Sequence, residues 1–145
     1  MYFRIFIILN VFGVFSGFLL SNTIDKPGFA ALFIIISALL YLYASMIKGI
    51  LLVGNILISV LVALSILIVG VFDVLPAIDA SNVDNQIVAM KVITHYACFA
   101  FFINLIREIV KDIQDINGDK NDKINTLPIE IGRKRATMVV FALGI

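Results

Sequence analysis

The sequence predicts an all-α, polytopic transmembrane helix bundle with four spans plus the start of a fifth. Three observations carry this expectation. First, 61% of the 145 residues are hydrophobic, only 14% are charged, and mean hydropathy is +1.08. Soluble domains run at about 45–50% apolar and roughly 25% charged. Second, the charges punctuate long apolar stretches. Twenty uncharged residues separate Arg4 from Asp25, 21 separate Lys26 from Lys48, and 24 separate Lys48 from Asp73. A fourth stretch, Gln86 to Asn104, carries only Lys91. A spanning helix needs about 20 apolar residues, so four fit. Third, Pro27, Pro76 and Pro128 all fall between these stretches.

The expected spans are 2–21, 28–47, 50–74 and 86–114, with a further helix starting near 133. The first stretch is too long for the apolar region of a secretory leader and lacks a small-residue cleavage site, so it reads as a span. The composition argues against a soluble domain, a disordered tail and a nucleic-acid-binding module. The single cysteine excludes a disulfide framework and a multi-cysteine zinc site, and the single histidine argues against a histidine-based metal site. His95 and Cys98, one helical turn apart, read as a packed polar contact.

If the spans alternate, nine basic residues fall on one side: Arg4, Lys48, Arg107, Lys111, Lys120, Lys123, Arg133, Lys134 and Arg135. Lys26 and Lys91 fall on the other, with Asp73, Asp79 and Asp84. By the positive-inside bias the chain start, the region around 48 and the 107–135 segment face the cytoplasm of a cell-membrane protein. In the first span, Gly13, Gly17 and Ser21 form a small-residue stripe of the kind that lets a neighbouring helix approach.

The sharpest composition change is at Arg107, where charge-free sequence gives way to Arg107-Glu-Ile-Val-Lys-Asp-Ile-Gln-Asp-Ile-Asn-Gly-Asp-Lys-Asn-Asp-Lys123. On a helix, Asp112 and Asp119 differ by about 20° and Asp115 sits about 60° away, so all three share a face. Glu108 lies one turn earlier on the same stripe. Carboxylates toward a helix C-terminus oppose its dipole and repel one another. Arg107, Lys111 and Lys120 compensate in part. A hard divalent cation compensates better, because it takes carboxylate oxygens and keeps water or phosphate as further ligands. Charge runs are usually solvated surface, but this one continues a membrane span and so stands at the mouth of the bundle. It is not a calcium loop: setting Gly118 at loop position six puts Ile113 and Ile124 at the first and last ligand positions. Asn10, Asn55 and Asn104 approach the same end, and with the 43–48 segment they suggest a polar cavity open to the cytoplasm. Such a cavity suits an amphiphile with an anionic head.

These residues resemble the UbiA superfamily of intramembrane prenyltransferases. Asn104-Leu-Ile-Arg-Glu-Ile-Val-Lys-Asp112-Ile-Gln-Asp115-Ile-Asn-Gly-Asp119 is similar to the family's second aspartate-rich motif. Thr126-Leu-Pro128 and Gly132 resemble the segment that follows it. Tyr43-Ala-Ser-Met-Ile-Lys48 with Gly54-Asn55 resembles the family's Tyr/Lys loop. The family's first aspartate motif is not matched, since Asn22-Thr-Ile-Asp25 has other spacing and faces outward. The chain therefore reads as a central part of a longer prenyltransferase domain, inactive by itself. The resemblance implies a prenyl diphosphate donor of geranylgeranyl type and Mg²⁺ held by Asp112, Asp115 and Asp119. It also implies substrate contacts from Tyr43, Lys48, Asn55, Asn104, Arg107 and Lys111. The Arg-Glu-Ile-Val-Lys-Asp stretch is most similar to the branch that prenylates a glycerol-phosphate lipid. An aromatic acceptor of quinone synthesis and a non-catalytic membrane bundle are the alternatives. Oligomeric state is left open.

Overall fold

The computed structural model describes residues 2–47, 50–122 and 124–145, with the side chains of Tyr2 and Phe3 excepted. The described residues are helical throughout their ordered elements, with no strand. Helix α1 runs Tyr2–Thr23, α2 Ala30–Leu42, α3 Val53–Val69, α4 Val83–Asn121, α5 Leu127–Ile131 and α6 Arg133–Leu143. Helix α2 continues into a π-helical turn at Tyr43–Ile47, and α3 into another at Gly70–Val74. Four segments are long and apolar enough to cross a membrane: Arg4–Thr23, Pro27–Ile47, Val53–Ala77 and Val83–Asn121.

The fourth segment departs from the expected 86–114. It is one continuous 39-residue helix. At 1.5 Å per residue it is about 58 Å long, nearly twice a hydrocarbon core of about 30 Å. The helix is therefore longer than such a layer is thick, and its charges gather in its C-terminal turns. Gly118 interrupts nothing, because helical geometry is open to it and a side chain there would meet no neighbour within 4 Å. The short helix α5, which hydropathy does not announce, folds back under α4.

Helices α3 and α4 form the antiparallel centre. Asn55 meets Asp112, Ser59 meets Asn104, and Gly70 lies against Met90. This pairing puts Asp79 and Asp115 at opposite ends of the bundle, as the alternation of spans requires. The Asp79 end is closed by a self-bonded turn. Ser81 donates its hydroxyl and its N–H to Asp79 Oδ1 at 2.6 and 2.7 Å, and Asn82 N–H adds a third bond at 3.1 Å. These donors, the Ser81 hydroxyl foremost, hold the Asp79 carboxyl below the usual carboxylate range.

At the other end, Leu105, Ile109, Leu127 and Ala136 form a buried apolar cluster that joins α4, α5 and α6. Leu51 and Leu52 pack against it from the start of α3. Leu52 holds a left-handed backbone (φ 56°), unusual for a bulky residue and sustained here by that packing. Gly132 separates α5 from α6 at φ 84°, ψ 151°, a region essentially restricted to glycine.

Helices α1 and α2 form a hairpin attached to the centre through aromatic edges. Phe29 and Phe33 each meet Phe72 edge-on, at 5.4 and 5.5 Å between ring centroids. The small-residue stripe of α1 is used only in part. A Cβ on Gly17 would clash with the Phe33 ring, so Gly17 receives a side chain, not a backbone. Ser21 is fully buried and donates to the Gly17 carbonyl at 2.7 Å. Gly13 faces open space. Asn10 is not part of a polar cavity with Asn55 and Asn104. It accepts the Ser37 hydroxyl at 2.9 Å, inside an apolar groove of about 970 Å³ between α1 and α2. His95 and Cys98 are both exposed and do not pair; His95 Nδ1 bonds back to the Lys91 carbonyl at 2.6 Å. Each side chain satisfies itself on its own helix or faces outward, which removes any need for the contact.

Gly17→Ala is expected to cost about 1–3 kcal/mol of stability by overpacking against Phe33. Gly13→Ala, in open space, is expected to be neutral or mildly stabilising, since alanine favours helix. Denaturant unfolding of both variants in detergent checks the contrast.

Candidate functional site: a carboxylate pocket at one end of the bundle

Two segments distant in sequence build the pocket. The π-helical turn of Tyr43 and the start of α3 supply Tyr43, Ile50, Leu52 and Asn55; α4 and the turn after it supply Glu108, Lys111, Asp112, Asp115, Asp119, Ile124, Asn125 and Thr126. The cavity is small, about 60 Å³. Periodicity explains the α4 side: residues 108, 112, 115 and 119 recur at steps of four, three and four, one stripe of a helix.

The site residues read from the sequence separate into groups. Tyr43, Asn55, Lys111, Asp112, Asp115 and Asp119 line the pocket together. Asn55 Nδ2 donates to Asp112 Oδ2 at 2.8 Å, so one carboxylate oxygen is tethered and the other is left for a ligand. Asn104 lies beneath, buried, and donates to Ser59 Oγ at 3.3 Å; Ser59 in turn donates to the Asn55 carbonyl at 2.6 Å. Asn104 therefore supports the helix that carries Asn55. Arg107 turns away. Its side chain is 69% exposed and pairs with Glu108 at 2.8 Å, the one ion pair among the described residues. Lys48 lies outside the described residues.

Glu108, Asn125 and Thr126 enter the site without having been singled out for it. The signal for Glu108 was present, as it precedes Asp112 by one turn, yet its 10% side-chain exposure depends on packing. Asn125 is oriented by its bond to Glu130 Oε1 at 2.8 Å. Arg133 reaches the Ile113 carbonyl at 3.4 Å and ties the start of α6 to α4 beside the pocket.

The donor set suits a hard cation. Four carboxylates face one lysine across neutral oxygens and amides, and Asp119 Oδ2 is buried with no hydrogen-bond partner among the described residues. A buried anionic oxygen without a partner is costly, and a cation would satisfy it. No three carboxylates among the described residues converge into a metal cage by themselves. Magnesium does not need one, because it keeps waters and takes phosphate oxygens beside one or two carboxylates.

The fold and this pocket define an intramembrane helix bundle with an acidic mouth. The UbiA prenyltransferase family model matches residues 3–145, and the chain belongs to that family, whose enzymes are membrane-embedded prenyltransferases. Curated relatives include digeranylgeranylglyceryl phosphate synthases. The protein from Korarchaeum cryptofilum is 32% identical over 98% of this chain and 44% of its own length. That from Sulfolobus acidocaldarius is 35% identical over 81% of this chain and 38% of its own, and that from Pyrococcus abyssi 34% over 74% and 34%. The chain thus spans less than half the length of these relatives. No solved structure matches it.

Asn55→Leu removes the donor to Asp112 and leaves a partly buried carboxylate oxygen unpaired. A loss of about 1–3 kcal/mol is expected on that ground, measured as a lower unfolding midpoint in detergent without added divalent cation.

Proposed function

We propose that this chain forms the second-aspartate-motif portion of a Mg²⁺-dependent membrane prenyltransferase. The enzyme moves a geranylgeranyl-type group from its diphosphate to a hydroxyl of a glycerol-phosphate lipid. The observation that carries the reading is the joining of Tyr43 and Asn55 to the aspartate stripe of α4 in one pocket, 57 residues apart in sequence at the Asn55–Asp112 contact. The names of the relatives favour the glycerol-phosphate acceptor over an aromatic one.

In this reading Asp112, Asp115 and Asp119 hold the ion, with Asn55 fixing the rotamer of Asp112. Bound Mg²⁺ would neutralise the diphosphate as its bridging C–O bond weakens. The diphosphate leaves with the bonding electron pair, and the allylic carbon is attacked by the acceptor hydroxyl, which then loses its proton. Lys111, the one cation among the described lining residues, opposes the charge gathered on the leaving group. Lys48 is carried as a second such cation on the resemblance. Arg107 is assigned to the outer edge, where a diphosphate would compete with Glu108 for its guanidinium. Because α4 is longer than the apolar layer is thick, we place this polar chemistry at the membrane-water boundary. A prenyl chain then lies toward the hydrocarbon. On the charge bias this mouth faces the cytoplasm.

In the intact protein, Asp115→Asn and Asp119→Asn are expected to lower turnover at least about a hundredfold, the scale of losing a key charge-stabilising group, with unfolding midpoints unchanged. The assay follows transfer from geranylgeranyl diphosphate to geranylgeranylglyceryl phosphate or to an aromatic acid, with and without chelator. Normal activity of either variant at limiting Mg²⁺, or transfer only to the aromatic acid, overturns the corresponding part of the reading. The 145-residue chain alone carries one aspartate motif, and in the same assay it is expected to give no product.

A further inference from the structure

Thr126 precedes α5 at the position where a threonine hydroxyl ordinarily caps the helix, and its backbone has the extended conformation that capping uses (φ −110°, ψ 160°). Its hydroxyl does not cap. The first turn needs no such help: Pro128 has no N–H, and the N–H groups of Ile129 and Glu130 both bond to the Thr126 carbonyl, at 3.0 and 3.2 Å. The hydroxyl is left over. It belongs to a residue only 8% exposed, it lines the carboxylate pocket, and Oγ1 is buried with no partner among the described residues.

The second buried side-chain oxygen without a partner among those residues is Asp119 Oδ2, which lines the same pocket. Two unpartnered oxygens carried by residues that line one pocket call for a species that satisfies both. An anion is disfavoured there, since Glu108, Asp112, Asp115 and Asp119 line the space. Among the described residues only Glu108 is ion-paired, with Arg107, while Lys111 is the one cation among the described lining residues. An isolated apolar group would leave both oxygens unsatisfied. A divalent cation that takes carboxylate oxygens and keeps part of its hydration meets the need: its polarised waters donate strongly, and both Asp119 Oδ2 and Thr126 Oγ1 can accept.

We infer that Thr126 is a positioning residue whose hydroxyl holds a water of the cation bound at Asp119. This rests on the cation reading of the pocket and extends it to a neutral residue outside the aspartate motif. Thr126 touches no reacting atom; it would hold one of the ion's waters in place.

The test uses the intact protein in detergent and Mn²⁺ alone as the probe, with free Mn²⁺ followed by electron paramagnetic resonance. Thr126→Val keeps the shape and removes the hydroxyl. It is expected to weaken Mn²⁺ binding about tenfold, the lower end of what loss of an outer-sphere partner does. Thr126→Ser restores the hydroxyl and is expected to bind as the parent does. Parental Mn²⁺ affinity in Thr126→Val overturns the inference, as does equal weakening in Thr126→Ser. A lowered melting midpoint in Thr126→Val but not in Thr126→Ser shows that the hydroxyl serves the fold, and overturns it too. Asp119→Asn separates the two levels. If it leaves Mn²⁺ binding intact, the cation reading itself fails; if it abolishes binding while Thr126→Val does not, only the role of Thr126 fails.

Discussion

The antiparallel clasp of α3 and α4 is the contact on which the rest of the structure depends. Its polar rungs run from Asn104 through Ser59 and the Asn55 carbonyl, and from the Asn55 amide to Asp112. In an apolar surround each of these groups must find a partner or lose several kcal/mol. The register in which they do so is therefore narrow. A shift of one residue on either helix would turn Asn55 about 100° from Asp112 and strand Asn104 against lipid. The aspartate stripe is held at a defined height by this ladder. The left-handed Leu52 and the apolar cluster around Ile109 clamp the same end from below.

That clasp also explains why acidic groups collect where a helix would rather not have them. Carboxylates near a helix C-terminus meet the negative end of its dipole. The fold relieves this only in part, because Arg107 pairs with the buried Glu108 and Lys111 is the one cation among the described residues lining the pocket. The site is left electron-rich and under-paired, with one buried carboxylate oxygen and one buried hydroxyl lacking partners among the described residues. Such local dissatisfaction is what a cation-dependent site needs before its ion arrives. The two π-helical turns add to this reading. One carries Tyr43 into the pocket, and π-turns within helices frequently mark functional positions.

The remaining helices are positioned by cheaper rules. The α1–α2 hairpin leans on α3 through the Phe29, Phe33 and Phe72 rings, and a wide apolar groove lies between its two helices. That groove holds little polar chemistry apart from Asn10 and Ser37, so the large cavity and the reactive-looking one are different places.

What the sequence determined by itself is whatever depends on hydropathy and helical period. The four spans, their alternation, the Asp79 and Asp115 ends and the shared face of Asp112, Asp115 and Asp119 all follow from local pattern. So does the resemblance of the Tyr43–Lys48 and Asn104–Asp119 segments, because motifs are contiguous. The tertiary structure decided what depends on register between helices. It sent Asn10 to Ser37 instead of the polar pocket, turned Arg107 outward and drew Glu108 in. It ran α4 on past residue 114 through Gly118 and freed the Thr126 hydroxyl from its capping duty. Hydropathy and helical period announce none of these outcomes. The contacts between helices, Asn10 with Ser37 and Asn55 with Asp112, are set by which side chain the neighbouring helix presents at the same height, and a one-dimensional pattern does not contain that height.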